Sequence, residues 1–102
     1  MTWVLLFLAG ALLCNAVPHL AAGTRGEPFP TPFARPRGIG HSSPLTNFYW
    51  GSANLAAGAA LAMWRLPVID CRVGLGVVAL GWLAIGTHLA LHFGAVRAGK
   101  KG

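Results

Sequence analysis

The chain has 102 residues, of which 55% are hydrophobic and 10% are charged, and its formal net charge is +6. A typical soluble domain carries about 25% charged residues, and a surface as apolar as this one would aggregate in water. The composition therefore predicts a single integral membrane domain over residues 1–102. In a chain this apolar, the positive charge indicates contact with anionic membrane lipid and not with nucleic acid.

The first apolar segment covers residues 2–22. It has the apolar core of a signal peptide, but no Lys or Arg precedes it, and Pro18 and His19 interrupt the region where a cleavage site would follow. We therefore expect a retained membrane helix here. A span of sufficient length has to continue through Pro18 with a kink, which neighbouring helices make tolerable.

Two further apolar segments cover residues 45–64 and 73–93, and no charged residue interrupts them. Both are long enough for a membrane helix, which needs about 20 residues. Between the first and second segments lies a Pro/Gly-rich loop, residues 23–44, with Phe29 and Phe33 as apolar anchors for an ordered conformation. The sequence thus predicts an all-α fold, an integral membrane three-helix bundle with a long loop between its first two helices.

The distribution of basic residues predicts the orientation. Three spans place the long loop and the C-terminus on the same side of the membrane. That side would carry six basic residues, namely Arg25, Arg35, Arg37, Arg97, Lys100 and Lys101, whereas the other side would carry Arg65 and Arg72. By the positive-inside rule, we expect a multi-pass protein of the cell membrane with its N-terminus outside and its loop and C-terminus in the cytoplasm.

Polar side chains lie at the loop end of all three predicted helices. They are Asn15 and His19 in the first, Asn47 and Asn54 in the second, and His88 and His92 in the third. Polar groups inside a membrane are costly and usually face a cavity or the bundle interior. We therefore expect Asn15, His19, Asn54 and His88 to lie in one pocket under the loop. Taken singly, an Asn can serve as interhelical glue, and His92 can reach the lipid headgroups.

The end of the loop suggests an anion site. Ser43 and Pro44 form a favourable helix start, and a helix N-terminus attracts anions. Flexible backbone and basic or polar side chains precede it, so the candidate ligand-binding residues here are Arg35, Arg37, Gly38, Gly40, His41, Ser42 and Ser43. The hypothesis is a lipid phosphate at the interface. An ordinary capped helix start explains the same residues equally well.

The histidines also allow a metal site. His88 and His92 are four residues apart, on one helical face, and His19 or His41 could be a third ligand. Zinc held by three histidines and bis-histidine haem both remain open, although no C-x-x-C-H haem attachment motif occurs. The sequence itself requires no cofactor.

A stripe of small residues follows the third helix, at Gly86, Ala90 and Gly94. Such stripes let membrane helices approach closely. We expect this face to mediate a homo-oligomer, or alternatively to pack against a helix of the same chain.

The region around the loop resembles small bacterial integral membrane proteins without an assigned activity. The pattern that carries the resemblance is Asn15, Pro18-His19, Gly23, Gly26, Phe29-Pro30-Thr31-Pro32-Phe33-Ala34, Gly38, Gly40, Ser42-Ser43-Pro44, Asn47, Trp50-Gly51 and Asn54. It covers about half of the chain. The resemblance implies three membrane spans and no catalytic role.

The sequence as a whole favours a binding or accessory protein with a cytoplasmic-leaflet pocket for an anionic lipid or amphiphile. The alternative is a membrane enzyme or redox protein that uses the His/Asn cluster.

Overall fold

A computed structural model describes residues 1–99. They form three helices, α1 (Thr2–Thr24), α2 (Pro44–Arg65) and α3 (Cys71–Arg97), with one 3-10 turn between α2 and α3 at Leu66–Val68. Within this described range one isolated β-bridge occurs and no strand, so the expected all-helical fold is confirmed. Lys100 and Lys101, which the orientation argument counted on the loop side, lie outside the described residues.

Helix α1 is the centre of the arrangement. It packs against both α2 and α3, whereas α2 and α3 have at most a marginal contact with each other. At the crossing of α1 and α3, a Cβ on Gly10 would overlap the Val78 carbonyl, and a Cβ on Gly81 would overlap the Phe7 carbonyl. The absence of side chains at Gly10 and Gly81 therefore lets the two backbones touch. Pro18 lies inside the continuous helix α1, as the sequence predicted.

Helix α2 turns one face towards α1. The buried residues of this face are Asn47, Gly51, Asn54 and Gly58, which recur every three or four positions. A Cβ on Gly58 would lie 2.9 Å from the Ala9 carbonyl oxygen, so this contact is also a backbone contact. The two asparagines of α2 thus lie inside the protein.

The helix start predicted at Ser43 and Pro44 is confirmed, and α3 starts with a similar cap. The Ser43 hydroxyl accepts a hydrogen bond from the Thr46 N–H at 3.1 Å, with Pro44 as the first helical residue of α2. The Asp70 carboxylate accepts one from the Arg72 N–H at 2.9 Å at the start of α3. These caps satisfy N–H groups that a helix leaves free at its first turn.

The long loop is folded against the helix ends, as its proline and apolar residues predicted. Phe29 and Ser42 form an antiparallel bridge with two backbone hydrogen bonds of 2.9 and 3.2 Å. Between them, the Thr31 carbonyl accepts hydrogen bonds from the N–H groups of Ala34 and Gly38. The Thr31 side chain is buried and pairs with the Ser42 hydroxyl.

Two of the three helices, α1 and α3, are long and apolar enough to cross a membrane. Helix α2 is long enough but less apolar and is not one of these two, so the predicted three-span bundle is not confirmed. Its buried asparagines, Asn47 and Asn54, contribute to this difference. Helix α3 leaves most of its apolar surface uncovered within the chain, and Leu91 is 72% exposed.

Candidate ligand-binding cleft

A cleft of about 310 Å³ lies at the loop end of the helices. All three helices and the loop contribute to its walls. The lining residues are Asn15, His19, Pro30, Thr31, Pro32, Arg37, Gly38, Trp50, Leu89, His92 and Phe93. The volume is at the lower end of the range for small-molecule sites, about 300–1,000 Å³, so the cleft fits a head group or a small ring.

A buried hydrogen bond between His19 and Asn47 forms the base of this region. Its length is 2.8 Å from His19 Nδ1 to Asn47 Oδ1. The Asn47 amide nitrogen faces the backbone carbonyl oxygens of Phe29, Ser42 and Ser43 at 2.9–3.3 Å. Because that nitrogen must donate to carbonyls, Oδ1 is the acceptor and His19 Nδ1 carries the proton. His19 Nε2 is consequently an acceptor without a hydrogen-bond partner among the described residues, and His19 lines the cleft.

A second amide pair joins α1 to α2. Asn54 Nδ2 donates to the Trp50 carbonyl at 2.8 Å, so its Oδ1 accepts from Asn15 Nδ2 at 3.0 Å. Because the Trp50 carbonyl can only accept, it fixes the orientation of the Asn54 amide and, through it, that of the Asn15 amide. Asn15 Oδ1 then has no partner among the described residues, and Asn15 lines the cleft. The cleft therefore presents a second free acceptor.

The indole N–H of Trp50 is an unpaired donor, in contrast to these two unpaired acceptors. Its Nε1 is buried and has no hydrogen-bond partner in the described part of the chain. A buried donor without a partner costs about 1–3 kcal/mol. The Trp50 ring packs edge-on against Phe33 of the loop, with ring centroids 5.1 Å apart, and also lines the cleft.

His92 connects α3 to the loop. Its Nε2–H donates to the Gly38 carbonyl at 2.7 Å. Gly38 has a φ of +67°, a conformation that favours glycine. The neighbouring Phe93 ring contacts Phe29 of the loop at a centroid distance of 4.6 Å. These two contacts fasten the loop over the third wall of the cleft.

The charges near the cleft are mainly positive. Arg25 and Glu27 form an exposed ion pair at 2.7 Å, and the hydrogen bond from Arg25 holds the pKa of the Glu27 carboxyl below its usual range. Arg37, whose side chain lines the cleft, forms no ion pair among residues 1–99. Arg37 is therefore a free cation at the cleft.

The structure brings together only part of the residue set that the sequence predicted. Asn15, His19, Arg37, Gly38 and His92 line the cleft, and Asn47 and Asn54 support it from behind. Six candidates lie elsewhere: Arg35, Gly40, His41, Ser42, Ser43 and His88.

The expected position of His88 in the pocket is wrong. His88 is exposed and stacks on His92, with centroids 6.0 Å apart and planes at 13°. The cleft wall of α3 is formed by Leu89, His92 and Phe93 instead.

The anion site at the start of α2 is also not assembled as expected. Ser43 is used as the helix cap, and Ser42 is bonded to Thr31. Arg35 and His41 are exposed and do not line the cleft, and Gly40 packs its backbone against the Arg35 carbonyl. Only Arg37 and Gly38 of this segment reach the cleft.

The three candidate metal ligands do not come together. Among the described residues, no group of three or more His, Cys, Asp or Glu side chains is placed to hold a metal ion. His19 is bonded to Asn47, whereas His88 and His92 form a separate pair on α3. The expected zinc site of His19, His88 and His92 is therefore wrong for this arrangement.

Sequence reasoning missed six lining residues: Pro30, Thr31, Pro32, Trp50, Leu89 and Phe93. A signal existed for Trp50, because it is three residues after Asn47 and four before Asn54, on the same helical face. Leu89 and Phe93 had none, since apolar residues of a membrane helix do not reveal which of them face a cavity.

A second, apolar groove of about 300 Å³ runs between α1 and α3. It shares Leu89 and Phe93 with the polar cleft, and Cys14, Gly86 and Ala90 lie along it. A Cβ on Gly86 would lie 3.2 Å from Cys14 Sγ, so the start of the small-residue stripe faces α1 of the same chain. Whether the stripe also mediates an oligomer stays a prediction.

No family model, no curated protein and no solved structure matches this chain.

Proposed function

We propose that the protein is a three-span membrane protein that binds the polar head of an amphiphile in the cleft under its loop. The apolarity of α1 and α3 supports the membrane location. Helix α2 fits as a third span because its asparagines face α1, while Leu45, Leu55 and Met63 are exposed. A helix with this distribution has an apolar face towards lipid, although its mean hydropathy is lower than that of α1 and α3.

The proposed orientation places the loop and the cleft at the cytoplasmic side of the cell membrane. Arg25, Arg35 and Arg37 in the loop and Arg97 at the end of α3 support it through the positive-inside rule. In this orientation the cleft lies at the depth of the lipid headgroups, and Arg37 is available to anionic lipid.

The observation that carries the binding proposal is the set of unpaired polar atoms at one cleft. Among the described residues, the buried Trp50 Nε1–H has no acceptor, and no hydrogen bond is made to His19 Nε2 or Asn15 Oδ1. A buried donor such as the Trp50 N–H is normally hydrogen-bonded in folded proteins. A ligand with both a donor and an acceptor satisfies these groups, and the apolar side chains of Leu89 and Phe93 accommodate its hydrocarbon part.

A binding or accessory role fits this geometry better than catalysis. The two histidines of the cleft, which are its most reactive side chains, make structural hydrogen bonds: His19 with Asn47 and His92 with the loop. Within residues 1–99 no metal cluster accompanies them.

The test is whether an amphiphile stays with the purified protein because of the cleft. We expect mass spectrometry of an organic extract, after extensive washing in mild detergent, to find a retained amphiphile in the wild type. Leu89→Trp fills the cleft wall and should abolish retention. Leu91→Trp adds the same ring on the same helix at an exposed position and should retain it. Equal retention in both variants, or none in the wild type, would contradict the proposal.

A further inference from the structure

We propose that the ligand is a hydroquinone that carries one hydrocarbon chain, with its ring in the polar cleft and its chain in the apolar groove. This inference rests on the proposed amphiphile-binding function and names the ligand class. It follows from the hydrogen-bonding atoms of the cleft, from the shape of its walls and from the continuity of the cleft with the groove.

The hydrogen-bonding atoms require a head that donates as well as accepts. Asn15 Oδ1 and His19 Nε2 are acceptors, whereas Trp50 Nε1–H is a donor. A hydroxyl group has one hydrogen to donate and two lone pairs to accept, so it satisfies both kinds of atom. A quinone carbonyl only accepts, and would leave the acceptors of Asn15 and His19 unpaired.

The walls of the cleft favour a flat ring over a highly polar head. Trp50, Phe93, His19 and the prolines of the loop provide planar surfaces, and most of the lining atoms are apolar. Aromatic rings pack well against such surfaces. A glycerophosphate head would bring more polar oxygen atoms than the cleft has partners for. Within residues 1–99, Arg37 is the single Lys or Arg that lines the cleft, and its side chain is exposed.

The apolar groove provides the place for one chain. It starts at Leu89 and Phe93, which are also walls of the cleft, and continues between α1 and α3 along Gly86 and Ala90. Its lining is almost entirely apolar, and in the proposed membrane orientation it opens towards lipid. A second copy of the protein would cover the groove but would leave the unpaired atoms of the cleft without partners. A chain-bearing ring fills both spaces.

The experiment measures binding of three single-chain probes to the protein in nanodiscs: decylubiquinol, decylubiquinone and dodecyl phosphate. We expect saturable binding of decylubiquinol, at least about tenfold tighter than of decylubiquinone, because the quinone has no hydrogen to donate to the acceptors of Asn15 and His19. Trp50→Phe removes the indole N–H and should weaken decylubiquinol binding about two- to tenfold. Its effect on decylubiquinone should be of similar size, since both probes present an acceptor.

Two matched variants test the groove. Ala90→Trp places a ring in the groove and should weaken decylubiquinol binding about tenfold or more, whereas Ala84→Trp is exposed, lines neither space and should leave it unchanged. Circular dichroism identifies a variant that fails to fold, and the comparison of reduced with oxidised probe on wild type needs no variant.

Three outcomes would overturn the inference. If decylubiquinone binds as tightly as decylubiquinol, the donor argument is wrong. If Ala90→Trp and Ala84→Trp bind equally, the chain does not lie in the groove. If dodecyl phosphate displaces the retained amphiphile and decylubiquinol does not, the ligand class is wrong, while the proposed amphiphile-binding function stands. That function fails separately, through equal retention in Leu89→Trp and Leu91→Trp.

Discussion

Asn47 is predicted to be the most sensitive polar residue of the chain. It is fully buried, and it joins α1, α2 and both ends of the loop. Its amide nitrogen has two hydrogens for the facing carbonyls and its oxygen accepts from His19, so it makes three hydrogen bonds at a time. Asn47→Leu removes all three and leaves the His19 Nδ1–H buried without a partner.

The expected cost follows from these bonds. Each neutral hydrogen bond contributes about 0.5–1.5 kcal/mol, and a buried unpaired donor costs about 1–3 kcal/mol. The facing carbonyls of Phe29, Ser42 and Ser43 keep backbone partners, which limits their share of the loss. We therefore expect Asn47→Leu to lower the free energy of unfolding by about 2–5 kcal/mol, measured by denaturation in detergent.

Limited trypsin digestion measures the attachment of the loop in the same variant. The Arg37–Gly38 bond is the informative site, because trypsin cuts poorly before proline and Arg35 precedes Pro36. Asn47→Leu should speed cleavage at Arg37, since it removes the side-chain bonds to the Phe29 and Ser42 carbonyls.

Two variants serve as controls for Asn47→Leu. Asn54→Leu makes the same change at a buried position with two hydrogen bonds and no contact to the loop backbone, so cleavage at Arg37 should stay near the wild-type rate. Asn47→Asp keeps the acceptor for His19 but places an oxygen against the loop carbonyls, so it should release the loop as well. Should Asn47→Leu be no less stable and no more readily cleaved than Asn54→Leu, the reasoning about Asn47 is refuted.

Further predictions concern helix packing, orientation and association. Gly81→Val should lower stability by about 1–3 kcal/mol or more through overlap with α1, whereas Gly76→Val, at an open position, should have little effect in thermal unfolding. A reporter fused after Gly102 should be active in the cytoplasm, and a periplasmic signal would reverse the proposed orientation. If the protein is an oligomer through its small-residue stripe, Gly86→Leu and Ala90→Leu should yield a folded monomer on crosslinking. A wild type that is monomeric in native membranes would exclude that interface.

The fold was largely predictable because helix boundaries and buried faces leave local signals. Ser43 and Asp70 are cap residues, and both cap in the structure. Asn47 and Asn54 were predicted to face the interior, and both are buried against α1. The same asparagines lower the hydropathy of α2.

The level of the candidate site along the helices was predictable. The direction in which a helix points each side chain was not. The shared level of Asn15, His19, Asn47 and Asn54 is correct, because it depends on the number of residues from each helix end. His88 was misplaced because the rotation of α3 is set by contacts such as those of Gly81, which the periodicity of a uniformly apolar helix does not reveal. The pairing of His19 with Asn47 also needed the structure, since the two residues lie 28 positions apart.

The cleft itself is a consequence of the central position of α1. Because α2 and α3 pack on α1 and have little contact with each other, a gap remains between them that the helices do not fill. The loop covers this gap from above, with Phe33 against Trp50 of α2 and Phe29 against Phe93 of α3. The cleft thus depends on the loop for one wall and on the helices for the others. Binding of a ligand and attachment of the loop should therefore stabilise each other, so a bound amphiphile should slow cleavage at Arg37 by trypsin.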